Sequence, residues 1–198
     1  VDPRDAIDAL ARTAFGRWGC WHVELIDRSL PGDGPLPPGF RADPIDGHDL
    51  DLDGDDDALL ARMTAHGRRD VRRAVRNGID VEVVDPADPT FAAEHHAQVR
   101  QAFARRDQQP SFGVERVEAL LRHLGPTGDL LALRARTPGG EVAATGLFPG
   151  RAGGPAELWM AASDRTHERL LPNEALLWAA MREWRDRGAV RLELGGGR

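Results

Sequence analysis

The amino-acid sequence predicts an α/β fold with a mixed, mostly antiparallel sheet flanked by helices. From residue 79 onward, the hydrophobic periodicity gives the element order β-α-α-β-β-β-α-β. The segments TPGG (137–140) and GRAGGP (150–155) are hairpin-type turns, so the three strands that they join are expected to run antiparallel. The final helix and strand form a β-α-β crossover with the strand before them, which places helices over the sheet.

The N-terminal part of the chain contains fewer predicted elements. Asp2 and Pro3 open a helix, with the proline in its first turn. WHVELID (21–27) alternates apolar and polar residues like a strand. Residues 31–44 are rich in proline and glycine and predict a surface loop, and DLDL (49–52) predicts a short strand.

Two polar helices are predicted next. DDDALLARM (55–63) begins with acids, which the positive end of a helix dipole stabilises. RRDVRRAVR (68–76) places its arginines on an arc of roughly 140° when successive residues advance by about 100°. Asn77 and Gly78 supply a stop signal. This helix is predicted to pack through Val71, Ala74 and Val75 and to expose Arg68, Arg69, Arg72, Arg73 and Arg76.

The remaining elements follow from periodicity and from turn residues. Asn173 is predicted to cap the last helix and Gly188 to end it. In chain order, the predicted elements are a strand at 79–84, helices at 90–106 and 114–124, strands at 129–135, 140–148 and 156–163, a helix at 173–188 and a strand at 189–194.

Composition excludes several classes of protein. The chain has 198 residues, a formal net charge of −6 and 26 basic residues, all of them arginine. The net negative charge argues against a general nucleic-acid binder, so any attraction to phosphate must be local. The single cysteine, Cys20, excludes an internal disulfide and is expected to be buried and inert. No apolar run reaches the roughly 18–20 residues of a membrane span, and no secretory leader is recognisable, so the cytoplasm is the expected location.

One segment, DLDLDGDDDALL (49–60), matches the start of a calcium-binding loop. Its alternating aspartates and Gly54 fit the pattern D-x-D-x-D-G, but the twelfth position, which should supply a bidentate glutamate, is Leu60. We therefore interpret the segment as a strand followed by an acidic helix start. The histidines show no metal-ligand spacing, and His95 lies on the apolar side of its helix, so no metal site is expected.

The arginine helix has three possible roles. Arginine forms bidentate bonds with phosphate, so the helix could hold nucleic acid or a phosphorylated substrate. Alternatively, its arginines are solvated and paired with the acids of residues 43–57. The acidic chain and the lack of interleaved aromatic residues disfavour nucleic-acid binding alone.

The loop DRTHERLLPN (164–173) is a second candidate site. It leads from a strand to a helix N-terminus, where free N–H groups attract anions or carbonyl oxygens. Arg165 and Arg169 add positive charge to it. The alternative is an ordinary connection between two elements.

Four segments resemble the GNAT acyltransferase superfamily and, within it, the FemAB-type transferases and the cellulose-biosynthesis-type acetyltransferases. The resemblance covers residues 66–198. It rests on RRDVRRAVRNGIDVEV (68–83), GEVAATGLF (140–148), LWMAAS (158–163) and LLPNEALLWAAMREWRDRGAVRLELGGG (170–197).

The resemblance implies a GNAT-like domain at 55–198 that stops after its fifth strand, preceded at 1–54 by the C-terminal part of a degenerate first GNAT-like domain. It implies transfer of an acyl or aminoacyl group to an amine of a cell-envelope or sugar-linked acceptor. The fourth strand, 156–163, would present backbone amides to the donor carbonyl, and Glu157 is the candidate base. The residues expected to bind substrate are Arg69, Arg72, Arg73, Trp159, Ser163, Arg165, Arg169 and Asn173.

The resemblance leaves the acyl donor open between an acyl-CoA and an aminoacyl-tRNA. GNAT enzymes that use acetyl-CoA carry R/Q-x-x-G-x-G/A before the helix. Counted from Arg165, Glu168 takes the first glycine's position, and counted from Arg169, Pro172 does. The expected partners are a small-molecule acceptor, which a nucleotide sugar could carry, and tRNA. The alternative function is a non-catalytic binding module that has kept the fold.

Overall fold

The computed structural model describes residues 3–25, 36, 38–43 and 46–196. The chain divides into two compact units, one that ends at Asp46 and one that spans Gly47–Gly197. Within the described residues, no helix is both long enough and apolar enough to cross a membrane.

The N-terminal unit contains α1 (Pro3–Arg12), which continues into a π-helical turn (Thr13–Arg17) and confirms the predicted helix. The predicted strand at 21–27 is wrong where it is described, since residues 22–25 have no regular secondary structure, and 26–27 lie outside the described residues. A strand is stable only beside another strand, and none in the described part of this unit pairs with it.

Two further predictions for this unit have different outcomes. Cys20 is half-buried, not fully buried, so the sequence overestimated its burial. About half of the predicted loop at 31–44 lies outside the described residues, and its described part, 36 and 38–43, contains a turn and no helix or strand.

The second unit contains the remaining elements in nearly the predicted order. They are β1 (Gly47–Asp51), α2 (Asp56–Arg62), α3 (Ala65–Arg76), β2 (Asp80–Val83), α4 (Phe91–Ala104), α5 (Val114–Leu124), β3 (Leu130–Arg136), β4 (Val142–Pro149), β5 (Pro155–Glu157), β6 (Met160–Ser163), a 3-10 helix (Arg165–Leu170), α6 (Pro172–Asp186) and β7 (Arg191–Gly196).

These strands form two sheets. The order β2-β3-β4-β6 builds a four-stranded antiparallel sheet, in which Leu133 of β3 lies opposite Gly146 of β4. The order β1-β7-β5 builds a second sheet, in which β7 runs antiparallel to β1 and parallel to β5. The unit begins at Gly47, before the predicted domain boundary at 55, because β1 is the neighbour of β7.

Helices cover both faces of the four-stranded sheet, as its buried pattern requires. Every residue of β3 from Leu130 to Ala135 is buried, which is typical of a strand with layers on both sides. Trp178, Met181 and Trp184 of α6 pack on one face. Phe91 of α4 and the apolar side of α5 pack on the other.

The residue Arg134 anchors the start of α4 to β3. Its side chain is 5 % exposed and forms ion pairs with Glu82 at 2.8 Å, Asp88 at 3.1 Å and Glu94 at 2.8 Å. Burial lowers the pKa of Arg134, but the bonds to Glu82 and Asp88 outweigh that effect and hold the pKa above its ordinary value. The bonds from Thr90 and from Arg134 hold the pKa of Asp88 well below its ordinary value.

A buried polar chain joins the middle of α4 to β4. Thr145 donates its hydroxyl proton to Gln98 Oε1 at 2.8 Å and lies 2.9 Å from His95 Nδ1. Because the hydroxyl proton of Thr145 is already donated to Gln98, His95 Nδ1 donates its proton to Thr145 Oγ1. In the neutral ring, His95 Nε2 then carries a lone pair and can only accept a hydrogen bond. His95 is fully buried, and its Nε2 has no hydrogen-bond partner among the described residues. Burial, with a contribution from His96, lowers the pKa of His95 to about 4.

Two predictions for the helices need correction. The first concerns α3, where Val71 and Ala74 are buried as expected but Val75 is 61 % exposed, because it lies at the edge of the packed face. The second concerns α6, whose N-cap is Leu171 in the left-handed conformation (φ 61°), followed by Pro172 as its first residue. Asn173 is therefore not the cap.

Candidate functional site

The predicted strand at 156–163 is divided in the structure between the two sheets. Its first half, β5, pairs with β7, whereas its second half, β6, pairs with β4. At the junction, Leu158 donates its N–H to Glu193 O at 2.7 Å, but Trp159 donates to Leu147 O at 3.1 Å. Leu147 is also the register partner of Met160, so two residues oppose one, which is a β-bulge that redirects the strand. Beyond the bulge, β6 pairs with β4 and not with β7, and we call the unpaired side of β6 between these two strands the opening.

The edge of β6 that faces away from β4 presents backbone donors. β6 is the last strand of its sheet among the described residues. Asp164 donates its N–H to Ala143 O at 2.9 Å, and this bond shows which residues along the strand direct their N–H groups toward β4. Since successive residues of a strand point their amides to opposite sides, the N–H groups of Ala161 and Ser163 point away from β4, toward the opening.

Two glutamates lie across from each other on the strands that border the opening. Glu157 on β5 is the register partner of Glu193 on β7. Their neighbours Ala156 and Leu192 are buried in the core beside α6, so both glutamates lie on the opposite face of this sheet. Glu157 is exposed, whereas the side chain of Glu193 is only 12 % exposed and lies 2.9 Å from Arg191 Nε.

Trp159, at the bulge, contacts a residue that sequence reasoning missed. Its ring centroid lies 4.8 Å from that of Phe112, in the connection between α4 and α5. His96 Nε2 lies 3.2 Å from Phe112 O and holds this connection against α4. In the sequence, Phe112 is a single aromatic residue in a polar loop, and this pattern does not indicate that it contacts Trp159.

The start of α6 is tied to the end of β6. Asn173 donates through Nδ2 to Ser163 Oγ at 2.9 Å, so two residues predicted to bind substrate lie together. Asp164 accepts from Thr166 N at 2.9 Å and from Thr166 Oγ1 at 2.8 Å. The bond from the Thr166 backbone is the main reason that the pKa of Asp164 is lowered.

The C-terminal end of α3 meets the connection before α6. Asn77 donates through Nδ2 to Leu170 O at 3.0 Å and to Arg169 O at 3.4 Å. The arginine helix and the predicted loop site are thus neighbours, which the sequence alone could not show. Arg169 and Arg165 are exposed, and Arg165 lies 3.4 Å from Glu168.

The arginines of α3 differ in their surroundings. Arg68 donates to the carbonyl oxygens at the end of α2, and Arg69 contacts its helix neighbours His66 and Asp70. Three others, which we call the α3 arginine face, are exposed and have no ion pair or side-chain hydrogen bond to any described residue; they are Arg72, Arg73 and Arg76.

In the segment at 49–60, groups of the protein itself bond to several of the loop oxygens. Arg62 donates to Asp51 O at 3.1 Å and to Asp53 O at 2.8 Å, so a guanidinium occupies the carbonyl oxygens of the loop. Asp55 caps α2 by accepting from Ala58 N at 2.9 Å. Within the residues that the structure describes, no group of three or more histidine, cysteine or acidic side chains could hold a metal ion.

Comparison with known proteins identifies a family and a fold. Residues 63–198 match the family model described as an acetyltransferase (GNAT) domain. The fold is similar to that of FemX, with a TM-score of 0.66 and 16 % identity over 76 % of this chain and 52 % of FemX. It is also similar to the C-terminal domain of a putative lysylphosphatidylglycerol synthetase from Agrobacterium fabrum, with a TM-score of 0.55 and 17 % identity over 77 % of this chain and 46 % of that one.

A third similar structure is L-PGS from Bacillus licheniformis, with a TM-score of 0.53 and 15 % identity over 77 % of this chain and 46 % of that chain. This chain therefore spans about half the length of these three solved structures. A comparison with curated proteins finds no significant sequence match.

Proposed function

This chain belongs to the acetyltransferase (GNAT) domain family, and from that premise we propose that it transfers an acyl or aminoacyl group to an amine of a cell-envelope acceptor. The single observation that best supports the proposal is the direction of the backbone N–H groups on the outer edge of β6. There the N–H groups of Ala161 and Ser163 point into the opening between β6 and β7, where a donor carbonyl can accept from them.

The edge of β6 suits the chemistry of acyl transfer. When an amine attacks a carbonyl carbon, the C–N bond forms and negative charge develops on the carbonyl oxygen. Fixed backbone donors stabilise that charge without reorganisation. The bond from carbon to the leaving oxygen or sulfur then breaks, and the leaving group takes up a proton.

We propose Glu157 as the group that takes the proton from the attacking ammonium. It is an exposed carboxylate at the end of β5, just before the bulge, on the face of the sheet away from α6. Glu193, its register partner, contacts Arg191 and is more buried. Glu157 is therefore better suited to accept a proton from a substrate that enters from solvent.

The connection before α6 favours an aminoacyl ester, as carried by aminoacyl-tRNA, over an acyl-CoA. A diphosphate cradle needs consecutive free N–H groups and close approach of the backbone. Here Pro172 lacks an N–H, Leu171 carries a side chain in the left-handed region, and Glu168 adds a negative charge at a glycine position. The nearby α3 arginine face can instead contact phosphates of a larger donor.

The proposed acceptor is an amine of a cell-envelope precursor that is carried on a lipid or on a nucleotide sugar. Support comes from the fold shared with FemX, with L-PGS and with a domain of a putative lysylphosphatidylglycerol synthetase, at identities of 15–17 %. We further propose that the residues before β1, 1–46, belong to a preceding GNAT-like domain, and that Trp159 and Phe112 line the path of the acceptor amine.

A donor assay with the full-length protein tests this function. We expect transfer from aminoacyl-tRNA to an amine acceptor, and none from acyl-CoA. Transfer from acyl-CoA alone would reverse the donor assignment. Binding of either donor without turnover would identify the non-catalytic module instead.

The variant Glu157→Gln tests the proposed base. We expect kcat to fall about 100-fold with little change in KM, because general-base catalysis typically contributes at least that much. Glu118→Gln, at an exposed position on α5, is the matched control and should retain full activity. An unchanged kcat in Glu157→Gln would exclude Glu157 as the base.

A further inference from the structure

The side chain of Ser163 lies at the end of β6, beside the backbone donors that face the opening. Its register partner is Ala144, which is buried in the core beside α6. Register partners direct their side chains to the same face of a sheet, so the Ser163 side chain lies on the α6 side of β6. Ser163 is half-buried and its partner Asn173, the second residue of α6, is exposed, so a ligand can reach this hydroxyl from solvent.

The hydroxyl proton of Ser163 is not used inside the described part of the fold. Asn173 Nδ2 donates to Ser163 Oγ at 2.9 Å, so Oγ is the acceptor in that bond. The Ser163 hydroxyl donates to no described residue. The bond from Asn173 therefore orients Oγ and leaves its proton available to a ligand.

The other polar side chains near the end of β6 have partners or lack a transferable proton. Thr166 Oγ1 donates to Asp164 Oδ1 at 2.8 Å, so that hydroxyl proton is already used. The bonds from Thr166 lower the pKa of Asp164, so its carboxyl group is ionised at neutral pH and holds no proton. His167 Nε2 lies 3.7 Å from Glu141, in the turn that leads into β4. Among these groups, the Ser163 hydroxyl is the proton donor best placed at the outer edge of β6.

The N–H and the hydroxyl of Ser163 can contact different atoms of the same reacting carbon. The N–H points into the opening, where it can hold the developing oxyanion. The hydroxyl lies toward α6, where Asn77 joins the α3 arginine face to the connection before α6. That side is the one proposed for the body of the donor, so the leaving atom would lie next to Oγ.

On the basis of the proposed acyl transfer, we propose that Ser163 is a catalytic residue that passes a proton from the attacking nitrogen to the leaving oxygen or sulfur. Proton transfer to a leaving alkoxide matters because an alkoxide is expelled slowly until it is protonated. Asn173 then acts as a positioning residue through its bond to Oγ.

The proposed step conserves atoms and charge. Glu157 takes the first proton of the ammonium, and the neutral amine then attacks, which forms the C–N bond and leaves the nitrogen with a positive charge. The oxyanion re-forms the carbonyl, and the bond from carbon to the leaving atom breaks with its electron pair on that atom. Ser163 Oγ gives its proton to the leaving atom and takes one from the nitrogen. The serine is regenerated, and an amide and an alcohol or thiol are released.

The variant Ser163→Ala, assayed in the full-length protein with two classes of donor, tests this role. Total aminoacyl-tRNA expels a ribose hydroxyl, whereas aminoacyl p-nitrophenyl esters expel a phenolate that needs no proton; glycinamide is the acceptor for both. After subtraction of the rate without enzyme, we expect kcat to fall about 100-fold with aminoacyl-tRNA and less than about twofold with the p-nitrophenyl esters. An equal loss with both donors, or no loss with either, would overturn the role of Ser163.

Two matched variants separate the hydroxyl from the shape of the strand. Ser163→Thr keeps a hydroxyl and should retain kcat with aminoacyl-tRNA to within about threefold. Asn173→Ala should lower that kcat about tenfold, because it removes one hydrogen bond, and should leave the p-nitrophenyl esters unaffected. A loss in Ser163→Thr as large as that in Ser163→Ala would also overturn the role.

The parent protein distinguishes this inference from the function on which it rests. If the parent transfers from neither class of donor, the proposed acyl transfer is wrong, and the role of Ser163 is wrong with it. If the parent transfers from aminoacyl-tRNA and Ser163→Ala does so equally well, only the role of Ser163 is wrong.

Discussion

The α3 arginine face and Arg134 share a side-chain type and lie in opposite environments. Arg72, Arg73 and Arg76 are exposed and contact no described acid. Arg134 is 5 % exposed and contacts three carboxylates. In a chain whose 26 basic residues are all arginine, residue type therefore says little about role, and burial and partners decide it.

The two regions also differ in the use of their charge. Every guanidinium nitrogen of Arg134 donates to an acceptor, including Thr90 Oγ1 at 3.1 Å. The positive charge of Arg134 is therefore already paired with groups inside the fold. On α3, the charge remains available to a ligand. We therefore expect the first region to stabilise the fold and propose substrate binding for the second, and these two roles predict opposite mutational effects.

Removing the buried charge should have the largest effect on stability. We expect Arg134→Gln to lower the free energy of unfolding by about 3–5 kcal/mol, because carboxylates of Glu82, Asp88 and Glu94 would be left without their cation. Denaturant unfolding measures the loss. Arg72→Gln is the control and should change it by less than about 0.5 kcal/mol. Equal losses in the two variants would remove the distinction between the regions.

The buried side of α4 should also make stability depend on pH. The pKa of His95 is lowered from 6.5 to about 4, so between these values the unfolded chain binds a proton that the folded chain does not. Stability is then full above about pH 6.5 and declines as the pH falls toward about 4, by about 3 kcal/mol in total.

Unfolding measured between pH 4 and pH 7 checks this decline. His95→Gln should remove most of the pH dependence in that range, whereas His123→Gln, at an exposed position on α5, should keep it. The lowered pKa values of Glu82 and Asp88 add a further loss at lower pH, as each of these carboxylates becomes protonated. A pH profile that is the same in His95→Gln and in the parent protein would contradict the assignment.

Local signals in the sequence were sufficient for most of the elements. The helix at 114–124 was predicted to the residue, and Leu130–Arg136 and Val142–Pro149 lie within two residues of their predicted bounds. Each of these elements has a regular apolar pattern and clear flanking turns. The strand at 156–163 was predicted as one element because its apolar run is continuous. Its division depends on bonds to Leu147 and to Glu193, which are distant in sequence.

The candidate site was less accessible to prediction for the same reason. The family resemblance named Ser163 and Asn173 as candidates for substrate binding, but the sequence did not indicate the hydrogen bond between them. The arginine stripe was visible as a helical pattern, yet its contact with the connection before α6 depends on Asn77, a residue that appeared only to be a helix stop. Long-range hydrogen bonds, rather than composition, assemble this site.

Neutralising part of the α3 arginine face should have the smallest effect on the free energy of unfolding and the clearest effect on binding of the donor substrate. In the double variant Arg72→Gln, Arg73→Gln we expect KM for the donor to rise about tenfold, with kcat and the midpoint of unfolding nearly unchanged. If the donor is an aminoacyl-tRNA, its affinity should also depend less on salt, with the slope of log K against log salt smaller by about 1.5. Arg116→Gln, Arg122→Gln, a pair of exposed arginines on α5, is the matched control. Arg69→Gln should have a weaker effect, because Arg69 already contacts His66 and Asp70. A KM equal to that of the control pair would show that the exposed arginines of α3 are only solvated, and the contrast with Arg134 would then be one of burial alone.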